Sequence, residues 1–335
     1  MKRIVECVPN FSEGRDMSVI RQITDAIESV EGIRLLHVDP GEAANRTVVT
    51  FVGSPEDVCE AAFRGAKRAA EVIDMSCHHG THPRIGATDV LPIIPVSGIT
   101  LEECAILARQ LAARMAREAG IPCYAYEASA LRPDHRNLAD CRAGEYEALE
   151  KKLADADFVP PLTHPSSFTT HPLKCGISVV GARDFLIAIN WNLNTTDTSI
   201  AKAIAADVRE KGKPNRPDML PCTKAIGWYI EEYGIAQVSM NMTNFHVTPL
   251  HQAYEGVCRS AERHGVRVTG TEIIGLVPEQ ALTDAGRYFL EKQHLPTNVA
   301  EEDIIATAIR AMGLDDLCPF DPRKKVIEYL MEETE

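Results

Sequence analysis

Apolar residues at Val19, Ile20, Ile23, Ala26, Ile27 and Val30 recur three and four apart, which places them on one face of a helix. A short apolar strand precedes them, from Ile4 to Val8, and strands follow at residues 35–38 and 47–52. Ser54-Pro55-Glu56-Asp57 then supplies an N-cap, a proline at the first helical position and an early acid, for a helix running to about Ile73. Residues 90–96 read as the next strand, and their prolines predict an edge or a bulged position. Thr100-Leu101-Glu102-Glu103 is a capping box whose helix stops near Gly120, and residues 122–126 form another strand.

Residues 158–176 break this rhythm with prolines, Ser/Thr and two histidines, the signature of a linker or a long functional loop. The pattern then restarts, with a strand over 185–193, a helix over about 199–211 and strands over 225–230 and 236–242. A helix over 250–263 ending at Gly265 and a strand from Val266 complete it. Both halves contain strand, helix, strand, strand, helix, strand, and the first half adds a helix and a strand. The expected fold class is therefore α+β: two ferredoxin-like α/β sandwich subdomains, residues 1–177 and 178–325, with a substrate groove between them. The alternative, one doubly wound sheet, lacks the Gly-x-Gly-x-x-Gly turn and the Gly-Lys-Ser/Thr loop that such sheets use for nucleotides.

A length of 335 residues also points to two domains. No apolar run reaches membrane-spanning length and the amino terminus has no signal-peptide core, so a cytoplasmic protein without a membrane partner is expected. The 35 Lys and Arg against 48 Asp and Glu leave a net charge of −13 with the basic residues scattered, which disfavours a nucleic-acid partner. An anionic substrate would have to be drawn by a local basic pocket. The ten cysteines are never closer than 18 residues, so no Cys-x-x-Cys metal or redox motif exists and they read as small buried hydrophobes.

Cys77-His78-His79-Gly80-Thr81-His82-Pro83-Arg84-Ile85-Gly86-Ala87-Thr88-Asp89 gathers three imidazoles, an arginine and a carboxylate in one irregular stretch. Histidine both takes and gives a proton near neutral pH, and Pro83 pushes His82 out of helical conformation, into a loop or a helix end. Three readings stand: ordinary surface histidines, a metal pair from His78 and His82, or acid–base catalysis by His82. The metal pair needs a continuous helix and a neighbouring glutamate, whereas Gly80 and Pro83 interrupt the stretch and His79 stands at the glutamate position, so no metal is expected. Arg84 is expected to bind a substrate carboxylate, with a structural acid as the alternative, and Asp89 suits either a catalytic carboxylate or a turn.

Five segments together resemble the glutamate formimidoyltransferase family: Val5-Glu6-Cys7-Val8-Pro9-Asn10-Phe11-Ser12-Glu13-Gly14-Arg15, His82-Pro83-Arg84-Ile85-Gly86-Ala87, Arg142-Ala143-Gly144-Glu145-Tyr146-Glu147, Gly275-Leu276-Val277-Pro278 and Leu317-Cys318-Pro319-Phe320. The resemblance spans nearly the whole chain and is to the transferase half of an animal fusion with a cyclodeaminase; no such half follows residue 335, so the stand-alone form is expected. It implies transfer of a formimino group between N-formimino-L-glutamate and N5 of tetrahydrofolate, a co-substrate, in histidine degradation, by a homodimer. It implies that the catalytic histidine is His82, that Asp39 lies near the reacting centre, and that a folate-contacting loop falls on His164, Pro165, Ser166, Ser167, Phe168 and Thr169, on to Gly176. Departures occur at His79-Gly80-Thr81, where the family has Lys-Gly-Glu or Lys-Gly-Gln, in the folate loop at Pro161-Leu162-Thr163-His164-Pro165, and at Lys213-Pro214-Asn215-Arg216-Pro217. They leave open a formiminoglycine or formyl donor, a non-catalytic folate-binding protein, and a metal-dependent amidohydrolase.

Overall fold

The computed structural model describes residues 3–155, 157–162, 172–212 and 215–332. The chain divides into two units between Asp184 and Phe185. In the first, β1 (Ile4–Cys7) and β2 (Asn10–Phe11) are followed by α1 (Met17–Glu28), β3 (Arg34–Gly41), β4 (Arg46–Gly53), α2 (Pro55–Val72), β5 (Thr88–Ser97), α3 (Leu101–Ala119), β6 (Cys123–Glu127) and β7 (Ser178–Ala182). Asp16 caps α1 through Ser18 N at 2.8 Å, Ser54 and Pro55 start α2, and the Thr100–Glu103 capping box and left-handed Gly120 bound α3. Each helix therefore begins, and α3 also ends, where local chemistry satisfies open backbone groups.

Among the described residues the sheet of the first unit has seven strands. β1 and β2 lie in line, each paired with β4 on one side and β5 on the other, so the sheet runs β3, β4, β1 with β2, β5, β7, β6. The β3-to-β5 part is antiparallel, and β7 runs parallel to both β5 and β6. Alternation along the strands turns Val5, Cys7, Phe51 and Ile93 toward α1, α2 and α3, where they meet Ile27, Ala62 and Ala108 in one core. On the opposite face, at the β6–β7 side, Tyr124, Tyr126 and Val179 pack against Cys141 and Leu149.

Of the two positions the prolines of β5 allow, the edge is not the one found. β5 is central, and it is bulged: Val5 faces Pro95 while Ile4 faces Ser97, and Pro92 lies beside the break between β1 and β2. A proline nitrogen has no hydrogen to donate, so it sits where the ladder is already irregular. The division expected after residue 177 also shifts. β7 hydrogen-bonds between β5 and β6 and so belongs to the first sheet, and the second unit continues past residue 325.

In the second unit β8 (Ile187–Leu193), a helix over Thr198–Val208, β9 (Thr223–Ile230), β10 (Ile235–Met242), a helix over Leu250–Arg263 and β11 (Val268–Ile274) build an antiparallel sheet ordered β11, β8, β10, β9. Trp191, Val238, Met240, Leu250 and Val257 fill its core. In each unit the strands of the strand-helix-strand-strand-helix-strand run are thus ordered fourth, first, third, second. Helices over Glu279–Lys292 and Glu301–Met312 lie beyond the last element that periodicity predicts. No described helix is long and apolar enough to cross a membrane.

Candidate active site

The site is built on the turn between β3 and β4. Asn45 adopts a left-handed conformation (φ 47°), which asparagine tolerates, and it ties three segments together. Its Oδ1 accepts from Gly14 N at 3.0 Å, its Nδ2 donates to His79 O at 3.0 Å, and its carbonyl accepts from His78 Nε2 at 2.8 Å. Thr81 N donates to Ala43 O at 3.1 Å, so the histidine loop is laid along the turn. Gly80 permits this approach, since a Cβ there would lie 2.1 Å from Ala44 O.

His78 and His82 do not share a helix. The His78 ring is buried with both nitrogens engaged, Nε2–H on the Asn45 carbonyl and Nδ1 accepting from Arg84 Nε at 3.3 Å. That pattern requires the neutral ring, and burial lowers its pKa. Among the described residues no group of three His, Cys, Asp or Glu side chains is placed to hold a metal. His82, four residues on, is half-buried in the loop ahead of Pro83. Its Nδ1 lies 2.7 Å from Pro83 O, and a carbonyl only accepts, so the proton is on Nδ1 and the lone pair of the neutral ring is on Nε2.

Behind this loop lies a buried ionic cluster. Asn10 faces Val90 and Phe11 faces Thr88, which makes Asp89 the extra residue of a bulge and re-aims its side chain. Asp89 Oδ2 accepts from Arg46 Nη1 at 2.5 Å and from Arg142 Nη2 at 2.6 Å, and Oδ1 accepts from Ile85 N at 2.8 Å. Burial alone would raise the Asp89 carboxyl, but Arg142 and Arg46 outweigh it and hold the group below the usual carboxylate range. One carboxylate against two guanidiniums leaves a positive excess within a chain of net charge −13. Burial first, then Arg46 and Arg142, push the His82 ring down to about 3, against the opposing pull of Asp89 and the Pro83 carbonyl.

Arg84 meets structural acids. Its guanidinium grips Glu147 at 2.6 and 2.7 Å and Glu145 at 3.2 Å, donates to His78 O at 3.0 Å, and lowers Glu147 to about 2. Asp39 is half-buried on β3 opposite Val48, on the sheet face that also carries Arg46 by the two-residue alternation. Gly176 is left-handed (φ 66°) and bridges Gly86; a Cβ on Gly176 would lie 2.2 Å from Ile85 O. This bridge sets Gly176 beside the histidine loop. His164, Pro165, Ser166, Ser167, Phe168 and Thr169 lie outside the described residues.

Arg46 is a site residue that sequence patterns alone did not single out, and Arg142 and Asn10 stood only inside segments of resemblance. They converge from 36 to 53 residues apart in the chain, a distance at which no periodicity carries a signal. Arg46 Nε donates to Asn10 Oδ1 at 2.9 Å, which joins the first of those segments to the cluster.

Two consequences can be measured. Gly86 has Ile177 O 2.3 Å from where its Cβ would stand, and that neighbour is backbone. Gly86→Ala is expected to destabilise the fold by about 1–3 kcal/mol in urea unfolding, through overpacking; an unchanged midpoint would show that the two segments part freely. His82 and His78 both have folded pKa values below that of an unfolded histidine. Between those values the unfolded chain binds the proton and the folded one does not, so stability is full above about pH 6.5 and falls with acid. The urea midpoint should drop from about pH 7 to about pH 5, and less so in His82→Ala; equal drops would deny the His82 contribution.

A model of the formiminotransferase domain, N-terminal subdomain, matches residues 4–183, and one of the formiminotransferase domain matches residues 188–332. The chain is 46% identical over 334 residues to a formimidoyltransferase-cyclodeaminase of Sus scrofa, an alignment covering 99% of the chain and 61% of the relative. It is 44% identical over 290 residues to the glutamate formimidoyltransferase of Thermoplasma acidophilum, covering 86% of the chain and 92% of the relative. The corresponding protein of Streptococcus pyogenes serotype M1 is 43% identical over 291 residues, covering 87% and 94%. The chain spans about three-fifths of the length of the formimidoyltransferase-cyclodeaminases and nearly all of the two glutamate formimidoyltransferases. With the two domain models together matching residues 4–183 and 188–332, the chain belongs to the formiminotransferase family.

Proposed function

We propose that this protein moves a formimino group between N-formimino-L-glutamate and N5 of tetrahydrofolate, in histidine degradation, with His82 as the general acid and base. The names of the two relatives matched over nearly their full length support the substrates. The observation that carries the proton chemistry is the ring of His82, with Nδ1–H held on the Pro83 carbonyl and its lone pair therefore on Nε2.

The attacking amine adds to the formimino carbon and becomes a cationic nitrogen, far more acidic than a free amine. Nε2 takes its proton. The tetrahedral carbon then expels the glutamate nitrogen, which receives that proton from Nε2 as the carbon–nitrogen bond breaks. A ring with depressed basicity does not stay protonated, so it hands the proton on readily. Asp39 is assigned to the cationic amidine carbon and residues 164–169 with Gly176 to the folate, on the strength of the family resemblance. The strand order of the two units supports a ferredoxin-like description of each, and the resemblance supports a cytoplasmic homodimer.

The experiment is transfer itself: the protein is given N-formimino-L-glutamate and tetrahydrofolate, and glutamate release and formation of the N5 product are followed. Turnover with formiminoglycine or a formyl donor, and none with formiminoglutamate, would replace the donor in this reading.

A further inference from the structure

The cluster of Asp89, Arg46 and Arg142 is buried and holds one positive charge in excess. A buried charge without a counter-ion is costly, so an excess of this kind beside a reacting group calls for an anion brought by the ligand. The hydrogen bonds identify which guanidinium lacks an acceptor. Arg46 places Nη1 on Asp89 and Nε on Asn10. Arg142 places Nη2 on Asp89, but its Nε is buried with no hydrogen-bond partner among the described residues, in a side chain only 11% exposed. Buried donors are seldom left unpaired without a reason. Ile85, three residues after His82, donates its N–H to Asp89, which both guanidiniums grip, so the cluster lies directly behind the loop that carries His82.

We propose that Arg142 binds the α-carboxylate of the N-formimino amino-acid donor through its Nε–H and adjoining fork, and so sets the formimino carbon at His82. This rests on the transferase reading. The chemistry of the substrates favours the donor over the folate. In the donor the formimino nitrogen is on the α-carbon, so a carboxylate lies two bonds from the reacting nitrogen. In tetrahydrofolate the p-aminobenzoyl group holds the glutamyl carboxylates far from N5. A carboxylate at Arg142 would also cancel the positive excess and let the His82 ring recover basicity as the donor arrives.

Arg142→Gln leaves Asp89 with Arg46 and the Ile85 N–H, one charge against one, so the fold is expected to persist. In the full-length protein, calorimetric binding of L-glutamate is compared with that of 4-aminobutyrate, which keeps the side-chain carboxylate and lacks the α-carboxylate. The wild type should prefer L-glutamate, and Arg142→Gln should lose that preference, with KM for the donor up about 10- to 100-fold and KM for tetrahydrofolate unchanged. Should Arg142→Gln not fold, Arg142→Lys keeps a cation at Asp89, lacks the Nε–H fork, and should lose the same preference. A folded variant that still prefers L-glutamate, a wild type that does not, or a rise confined to the KM of tetrahydrofolate would each overturn the assignment. Arg142-dependent glutamate binding without any transfer would sink the transferase reading and leave the carboxylate site standing.

Discussion

His82→Ala is expected to lower kcat for formimino transfer by about 100- to 10,000-fold, the range for removing a positioned general acid–base. Its effect on folding should be small. The ring is half-buried, and its Nδ1–H is held on the carbonyl of the adjacent Pro83. The histidine loop is held by other contacts: Asn45 to His78 and His79, Thr81 to Ala43, and Arg84 to Glu145 and Glu147. Steady-state kinetics with a circular-dichroism melt separate the two effects. KM values should move little, since the step lost is proton transfer rather than binding. A near-normal kcat in a folded variant would remove His82 from the mechanism.

Asp89→Asn is expected to be the most damaging change to stability in the site, at about 3–5 kcal/mol, the cost of leaving buried charge uncompensated. Both guanidiniums would then face an amide, with Arg46 and Arg142 largely shielded from water. The loss should appear as a lower urea midpoint at unchanged slope. Arg142→Gln in the same background removes one of the stranded charges, so the double variant should be less destabilised than the two single effects summed. Strict additivity would mean that the three side chains do not act as one cluster.

The contrast between His82 and Asp89 shows what was legible along the chain. The placement of His82 in a loop follows from the proline beside it, a constraint between neighbours. The limits of α2 and α3 follow from Ser54-Pro55 and from Thr100, Glu103 and Gly120, again within a few residues. For Asp89 the neighbours say only turn or carboxylate. What makes it the centre of the cluster is a bulge against β2 and two arginines 43 and 53 residues away. Arg84 was expected to bind a substrate carboxylate, and instead Glu145 and Glu147, about 60 residues on, occupy its guanidinium.

The same division runs through the fold. Periodicities of two and 3.6 residues depend on which side chains face a core, so they determined in advance the order of the longer strands and helices through β11, but not the short β2 and β7 or the short helices between β6 and β7. They carry no information on pairing partners, because hydrogen bonds between strands look alike wherever the strands lie in the chain. The central position of β5 despite its prolines, and the return of β7 to the first sheet after the interruption at 158–176, were therefore decided only in three dimensions. So was the positive excess beside His82: net charge counts residues, whereas the field at one imidazole depends on which few of them the fold brings within reach.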